Sequence, residues 1–398
     1  MITVIPARRN VLLITRNLPP LVGGMERFNQ HVVTQLSRQY DISVCGPAGC
    51  DAFLPDNAVV ASVRLGSVPG FLIRALWTSL RLVRRQRPDV VIAGSGLMAP
   101  VAWIVARWTG VRALVFLYGL DLAVPNFWYQ RFWLPAIRAC DGYLPISRFT
   151  HALAIDKGLA ADVMEIVHPG VDSRTDNDSA PGNFRENYRL GDRPILLSVG
   201  RLTRRKGLVE FVRHCLPLIV AKQPDIVLVV AGGEPRDALH ASAGNVSEDV
   251  RKLAAELGME GNILLLGKVS DDVVWAAFRA SQVHVFPVQQ VRGDIEGFGI
   301  VALEAASAGV PTVAFAVGGV PDAVGEGVSG LLIEPGNYRE MAVAVLRTLA
   351  IHDPDGHLRA GCIRFARQFS WDNIGVRLNL AVSRLAGWTQ ESGGECSS

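Results

Sequence analysis

A chain of 398 residues, 49% of them apolar and 19% charged, is long enough for two domains that each bury a core and too apolar to be disordered. Its formal charge of +3 hides an imbalance. Residues 1–148 hold 16 Arg, no Lys and 7 acidic residues, so 16 − 7 = +9, which leaves 3 − 9 = −6 for the remainder. Cys45, Cys50, Cys140, Cys215, Cys362 and Cys396 show no CxxC pair and no metal-type spacing, which argues against protein-bound metal and for reduced thiols in a cytoplasmic protein.

The opening MITVIPARRN is too short and too weakly apolar for a secretion signal. Uncharged runs such as VVIAGSGLMAPVAWIVA (90–106) are broken by Gly and Pro, so no continuous span of about 20 apolar residues arises. The basic first half reads either as a surface for an anionic partner or as an ordinary Arg-rich exterior.

Short β-branched runs alternate with stretches of helical period, the pattern of parallel sheets covered by helices. In the first half the strands expected are 11–15, 41–46, 89–94, 112–119 and 142–147, with helices over 24–39 and 72–86. The polar stretch DSRTDNDSAPGN (172–183) reads as a linker. The alternation then restarts, with strands at 194–200, 225–232, 262–267, 283–287, 311–316 and 330–335 and helices over 208–223 and 248–258. A last helix, 370–387, starts at a Ser N-cap, and TQESGGECSS closes the chain as a polar tail. The layout predicts an α/β fold of two doubly wound domains, with ligands expected outside the carboxyl ends of strands. If the two domains face each other, a cleft results.

Four stretches carry candidate chemistry. Gly23-Gly24 precede a helix, where free amides suit an anion, or where a loop simply needs positive φ. GRLTRRKG places Arg201 and Lys206 between a strand and a helix. Cations there oppose the helix dipole unless a diphosphate binds, while Arg204 and Arg205 read as a solvated basic loop. EGFGIVALE holds Glu296 and Glu304 around Gly297-Phe298-Gly299. Sugar hydroxyls suit Glu296 together with the turn amides. Glu304, on an otherwise apolar helix, suits a ribose diol or an Arg on a neighbouring element. AVGGVPDAV (316–324) repeats the strand, double glycine and helix, with the same phosphate-facing argument. Asp121 follows a strand and either faces a ligand or caps a turn. The histidines form no nucleophile–base set with partners identifiable from sequence.

GRLTRRKG followed by EGFGIVALEAASAGVPTVAFAVGGVPDAV resembles the retaining nucleotide-sugar glycosyltransferases of GT-B type, family 4, over about Val11 to Trp388. The resemblance implies two Rossmann-like domains facing across a cleft: residues 1–180 on the acceptor side, 181–369 holding the nucleotide sugar, and the helix 370–388 packing back on the first. It implies that Arg201 and Lys206 neutralise the diphosphate, with Gly23 and Gly24 approaching from the other domain. Glu304 would bind the ribose, Gly267 to Val269 would lie against the base, and Glu296 with the amides of Phe298 and Gly299 would hold the sugar, Gly297 belonging to the same donor-binding turn. Such enzymes retain anomeric configuration without metal or further cofactor, the cations standing in for a divalent ion.

One position departs from the family, which usually carries His-Gly where this chain has Tyr118-Gly119. A Tyr hydroxyl hydrogen-bonds a sugar or phosphate oxygen but is a poor base near neutral pH, with a reference pKa of about 10. The implied reaction is hexose transfer, mannose favoured from the RGDIEGFGIV context, from a GDP- or UDP-linked donor to a glycan or glycolipid hydroxyl in cell-envelope synthesis. Same-fold alternatives are a sugar-nucleotide epimerase or a phosphorylase, and a different class is a binder of anionic polymers. VPNFWYQRFWLP (124–135) and LIRALWTSLRLVRRQRPD (72–89) read either as a peripheral contact with anionic lipid on the inner face of the membrane or as core packing beside a basic face. No nucleic-acid partner is expected.

Overall fold

The computed structural model describes residues 8–124, 126–172, 184–234, 245–291, 293–353 and 355–388. The stretch read as a linker, from 173 to 183, and the tail from 389 lie outside these residues, as does Arg292 of the RGDIEGFGIV context. The chain divides into two compact units: residues up to Gly170 together with those from Trp371 onward, and Val171–Ser370.

The first unit is built on β1 (Asn10–Ile14), β2 (Asp41–Pro47), β3 (Val59–Val63), β4 (Val90–Ala93), β5 (Arg112–Leu117) and β6 (Gly142–Pro145). They pair in the order β3-β2-β1-β4-β5-β6, and every ladder is parallel. The second unit holds β7 (Ile195–Val199), β8 (Val227–Ala231), β9 (Ile263–Gly267), β10 (Val283–Phe286), β11 (Thr312–Phe315) and β12 (Gly330–Ile333). Its order is β12-β11-β10-β7-β8-β9, again all parallel. Both sheets therefore wind outward from their first strand in both directions. Each has a topological switch point, between β1 and β4 and between β7 and β10, where loops leave the carboxyl edge in opposite directions and open a crevice.

Continuous apolar strands are what a sheet buried on both faces requires. Leu12, Ile14, Val91, Val115 and Leu117 pack with Phe71, Val105 and Ile137 in the first core. Ile195, Leu197, Val227 and Val229 pack with Trp275, Phe278 and Val310 in the second. At about 25 cal/mol per Å² of apolar surface removed from water, such layers are the main source of stability. The five described cysteines are free and buried in these interiors.

One strand was not expected and one expected helix is divided. Strand β3 is absent from the pattern read above because it is an edge strand, half exposed and interrupted by Ala61 and Ser62. The helix expected over 208–223 is two, Leu208–His214 and Leu216–Val220. Pro217 has no N–H to donate to the Arg213 carbonyl and its ring crowds that carbonyl, so the first helix stops and Pro217 sits in the first turn of the second. The helix Trp371–Ala386 belongs to the first unit, lying on the helix Gly24–Ser37. Trp371 stacks on His31 at 4.2 Å, and Gly170 and Gly375 leave room for Trp371 and Gln35, whose atoms would be 2.5 and 2.3 Å from an added Cβ. No helix among the described residues is long and apolar enough to cross a membrane.

Candidate active site

At the switch point of the second sheet, the loop after β7 meets the loop after β10. Gly207, at φ 69°, makes the meeting possible, since a Cβ there would lie 1.9 Å from the Pro287 carbonyl oxygen. The Gln289 N–H donates to the Arg205 carbonyl at 2.8 Å, which ties the two loops together.

Side chains complete the junction. Lys206 Nζ donates to Glu296 Oε2 at 2.7 Å, and Arg205 Nη1 donates to the same oxygen. Arg205 Nε lies 2.9 Å from Asp294 Oδ1. The Lys206 stem passes 3.5 Å from the Cβ position of Gly200, and its ammonium sits 4.6 Å from the centroid of the Phe286 ring. The side chains of Arg205, Glu296 and Lys206 are only 10%, 12% and 17% exposed.

Burial makes each charge costly, and the neighbours decide the outcome. For Glu296, burial pushes the carboxyl up, but Lys206 and Arg205 outweigh it and hold the group at about 2. Burial is also the largest influence on Lys206, and it holds the ammonium below its ordinary value, Arg205 and Arg201 adding to the effect against the pull of Glu296. Burial works against the charge on Arg205 as well, yet Glu296 and Asp294 raise the guanidinium above its usual range. Beneath them His284 is fully buried, its Nδ1 3.1 Å from Thr312 Oγ1. Burial, then Lys206, pushes it down to about 3, so it is neutral.

The turn carrying Glu296 rests on a third loop. A Cβ on Gly318, at φ 57°, would lie 2.4 Å from the Glu296 carbonyl oxygen, and one on Gly319 would lie 2.0 Å from that of Gly297. The Gly319 N–H donates to the Glu296 carbonyl at 2.9 Å. This corrects the phosphate-facing reading of the double glycine: the Gly319 N–H and the Cβ side of both glycines are taken up by the Glu296 turn. Gly299, at φ 91°, caps the helix Ile300–Ser307 against Phe286, and Glu304 is half-buried on that helix.

Arg201 is exposed on the β7 loop, and Val269 is half-buried just after β9. Gly23, Gly24 and Tyr118 belong to the first unit. Gly24 is exposed and open, whereas the Glu26 carboxylate folds over Gly23, 2.2 Å from where a Cβ would stand, and accepts from Asn17 Nδ2 at 2.8 Å. Tyr118 is 7% exposed and packs edge-on to Phe28. Its hydroxyl is buried beside Asn29 without a well-formed hydrogen bond. Burial first, then Asp121 and Glu26, raise it well above its ordinary value. The hydroxyl expected to reach a sugar is thus turned inward here. Asp121 lies within the short helix Leu120–Ala123, and its Oδ2 accepts from the preceding Tyr118 N–H at 3.0 Å rather than capping a following turn.

Arg205 is the site residue the sequence reading misassigned. Arg204 is exposed as a solvated loop requires, whereas Arg205 is buried. Two adjacent arginines carry no local signal that separates them. The carboxylates opposite, ninety residues on, do so.

The family model described as Glycosyl transferases group 1 matches residues 182–369, and that described as Glycosyltransferase Family 4 matches 22–175. A GDP-mannose-dependent alpha-(1-6)-phosphatidylinositol monomannoside mannosyltransferase of Mycobacterium tuberculosis is 31% identical over 385 residues, covering 92% of this chain and 96% of that protein. The chain belongs to glycosyltransferase family 4. Solved structures agree on the fold of this glycosyltransferase. A Rickettsia africae glycosyltransferase has a TM-score of 0.78 at 16% identity, covering 96% of this chain and all of that one. HepE of Anabaena, solved in complex with UDP, has a TM-score of 0.75 at 18% identity over 94% and 100% of the two chains. The two-domain α/β GT-B fold expected from the sequence is therefore established.

Proposed function

We propose that this glycosyltransferase moves mannose from GDP-mannose to a hydroxyl of a glycolipid acceptor, with retention of configuration and without a divalent metal. The observation that carries the reading is the Lys206–Glu296 contact of 2.7 Å at the β7/β10 switch point. One cation and one carboxylate stand together where a sugar diphosphate needs both. The name of the M. tuberculosis relative supports the choice of donor and of a lipid-linked acceptor.

In this reading Lys206 and the exposed Arg201 take the diphosphate, and Glu304 accepts from the ribose hydroxyls. Gly267 to Val269 lie against the base. Glu296 and the turn amides of Gly297, Phe298 and Gly299 hold the sugar. The bond between the anomeric carbon and the phosphate oxygen breaks while a bond to the acceptor oxygen forms on the same face. The acceptor proton passes to the departing phosphate, so no protein nucleophile is needed. Stabilising the charge that develops on that phosphate is the task of the cations.

The acceptor is proposed to arrive on a cytoplasmic membrane face touched by the first unit. Phe127, Trp128 and Phe132 are 71%, 64% and 53% exposed, with Arg131 placed over Phe132. Arg64, Arg74, Arg81 and Trp77 line an open groove of about 520 Å³. Aromatic rings beside guanidinium groups suit the headgroup layer of an anionic bilayer.

The test is donor turnover in the presence of a metal chelator, across GDP-mannose and UDP-glucose, with phosphatidylinositol mannoside as the first acceptor. The proposal expects GDP release, acceptor-dependent acceleration and an α-linked product. Epimerised donor, phosphate-dependent cleavage of a glycan, or turnover only with added divalent metal would each count against it.

A further inference from the structure

The donor-site reading gives Lys206 two duties it cannot perform together. In the ligand-free protein its ammonium lies on Glu296, and with donor bound it must serve the diphosphate. A carboxylate only 12% exposed that loses its sole cation takes up a proton in preference to staying charged. Glu296 has a second cation. Arg205 donates to the same oxygen, and its Nε lies 2.9 Å from Asp294 Oδ1, an ion pair that lacks the alignment of a hydrogen bond.

The two cations differ in how firmly they are held. The Arg205 backbone is pinned by Gln289 at 2.8 Å, and two residues later Gly207 sits against Pro287 with no room for a side chain. Among the described residues Lys206 has Glu296 as its ionic partner, with the Phe286 ring and Gly200 flanking a flexible stem. A guanidinium is a planar fork that bridges two carboxylates and stays charged, whereas an ammonium is a mobile point charge.

We infer that Arg205 is a positioning residue: anchored by Asp294, it keeps the Glu296 carboxylate ionised and aimed while Lys206 crosses to the diphosphate. Arg205 touches neither donor nor acceptor. Its effect passes through Glu296, which would otherwise enter the donor complex as a neutral acid and a weaker acceptor for sugar hydroxyls. Lys206 and Arg205 face Glu296 from the β7 loop, and Asp294 lies on its own loop. Arg201 and the neutral His284 act through Lys206, and the Gly318-Gly319 turn brings only backbone. The inference rests on the proposed donor site.

Two measurements test it. The first titrates 13C-labelled glutamate carboxyls in the protein without ligand, with Glu296 assigned by the loss of its signal in Glu296→Gln. Glu296 should titrate at higher pH in Arg205→Met than in wild type. The second measures protons taken up on binding GDP at about pH 6, by calorimetry in buffers of different ionisation enthalpy, where the titration of GDP itself is common to all variants. Arg205→Met should take up more protons per GDP than wild type, and Arg205→Lys, which keeps the charge without the bridging fork, should fall between the two, as should Asp294→Asn. In turnover, Arg205→Met should lower kcat roughly tenfold with little change in KM, the signature of a misaimed group. Equal titration and equal proton uptake in wild type and Arg205→Met would overturn the inference. Should Arg205→Met fail to fold, the same comparison is made with Asp294→Asn. A wild type that binds no GDP would sink the donor reading, and the ligand-free titration would still decide whether Arg205 holds Glu296.

Discussion

Lys206 Nζ and Glu296 Oε2 stand 2.7 Å apart although ninety residues separate them in the chain. Each ends a loop that leaves one of two adjacent central strands, so the sheet brings them together and the burial around them makes the pairing matter.

Removing one partner of this cluster should cost more than removing the other. Glu296→Ala leaves Lys206 and Arg205 buried side by side without their shared carboxylate, whereas Lys206→Ala leaves Glu296 with Arg205. Breaking a buried pair costs about 3–5 kcal/mol. Urea unfolding should place Glu296→Ala at the upper end of that range and Lys206→Ala below it. Donor turnover should fall roughly 10²–10³-fold for Lys206→Ala, as when a charge-stabilising group is lost.

The acid limb of stability should carry the signature of Glu296. Its folded-state value of about 2 lies below the unfolded reference of about 4.3. A depressed carboxyl contributes stability that is fully present above the unfolded value and is lost as pH falls through the folded one. The stability difference between wild type and Glu296→Gln should therefore hold steady near neutral pH and shrink between about pH 4.3 and 2. Urea midpoints collected down this range check the sign; a constant difference would contradict it.

Gly207→Ala should separate the two loops. A left-handed backbone costs a non-glycine residue about 1–2 kcal/mol, and here an added methyl would also lie 1.9 Å from a carbonyl oxygen. Gly191, at φ 53° with nothing within 4 Å of its Cβ position, is the control. Gly191→Ala should show the conformational cost alone, and Gly207→Ala should unfold at lower urea and lose donor turnover.

Gly319→Ala probes the turn under Glu296 without backbone strain, because φ there is −84°. The added methyl would meet the Gly297 carbonyl oxygen at 2.0 Å and push the turn outward. Donor turnover should drop at least about tenfold, since small misplacements of a binding group carry costs of that order. Unchanged kinetics would mean that the turn relaxes without disturbing the site.

The basic groove should govern membrane retention. Each Arg near an anionic surface contributes about 1 kcal/mol, so Arg74→Glu with Arg81→Glu should lower partitioning onto anionic vesicles by more than about tenfold. Trp77→Ala should weaken it further, and raised salt should abolish most of the difference. Absence of vesicle retention at low salt in the wild type would remove the membrane contact from the proposal.

Much of the fold was legible because it rests on local pattern. Runs such as Val11–Ile14 and Val227–Ala231 are buried throughout, and a parallel sheet covered on both faces requires that continuity. Strand β3 escaped because an edge strand exposes one side and needs no such run. Within the candidate site, Arg201, Lys206, Glu296 and Glu304 stood out because charge beside glycine-rich turns or on apolar helices is costly without a ligand. Arg205 is buried where a solvated loop was expected, and the Tyr118 hydroxyl is buried as well. Identical neighbours diverge when one side chain turns toward Asp294, and a hydroxyl turns inward when Phe28 and Asn29 surround it.

By itself, then, the sequence determined two doubly wound sheets and the loops that carry charge, since hydrophobic period and glycine placement are properties of neighbouring residues. Which cation grips which carboxylate was decided only by the tertiary structure, because that depends on strand order. With β7 beside β10, the Gly207 turn can lie against Pro287, and only then do Arg205 and Lys206 find Glu296.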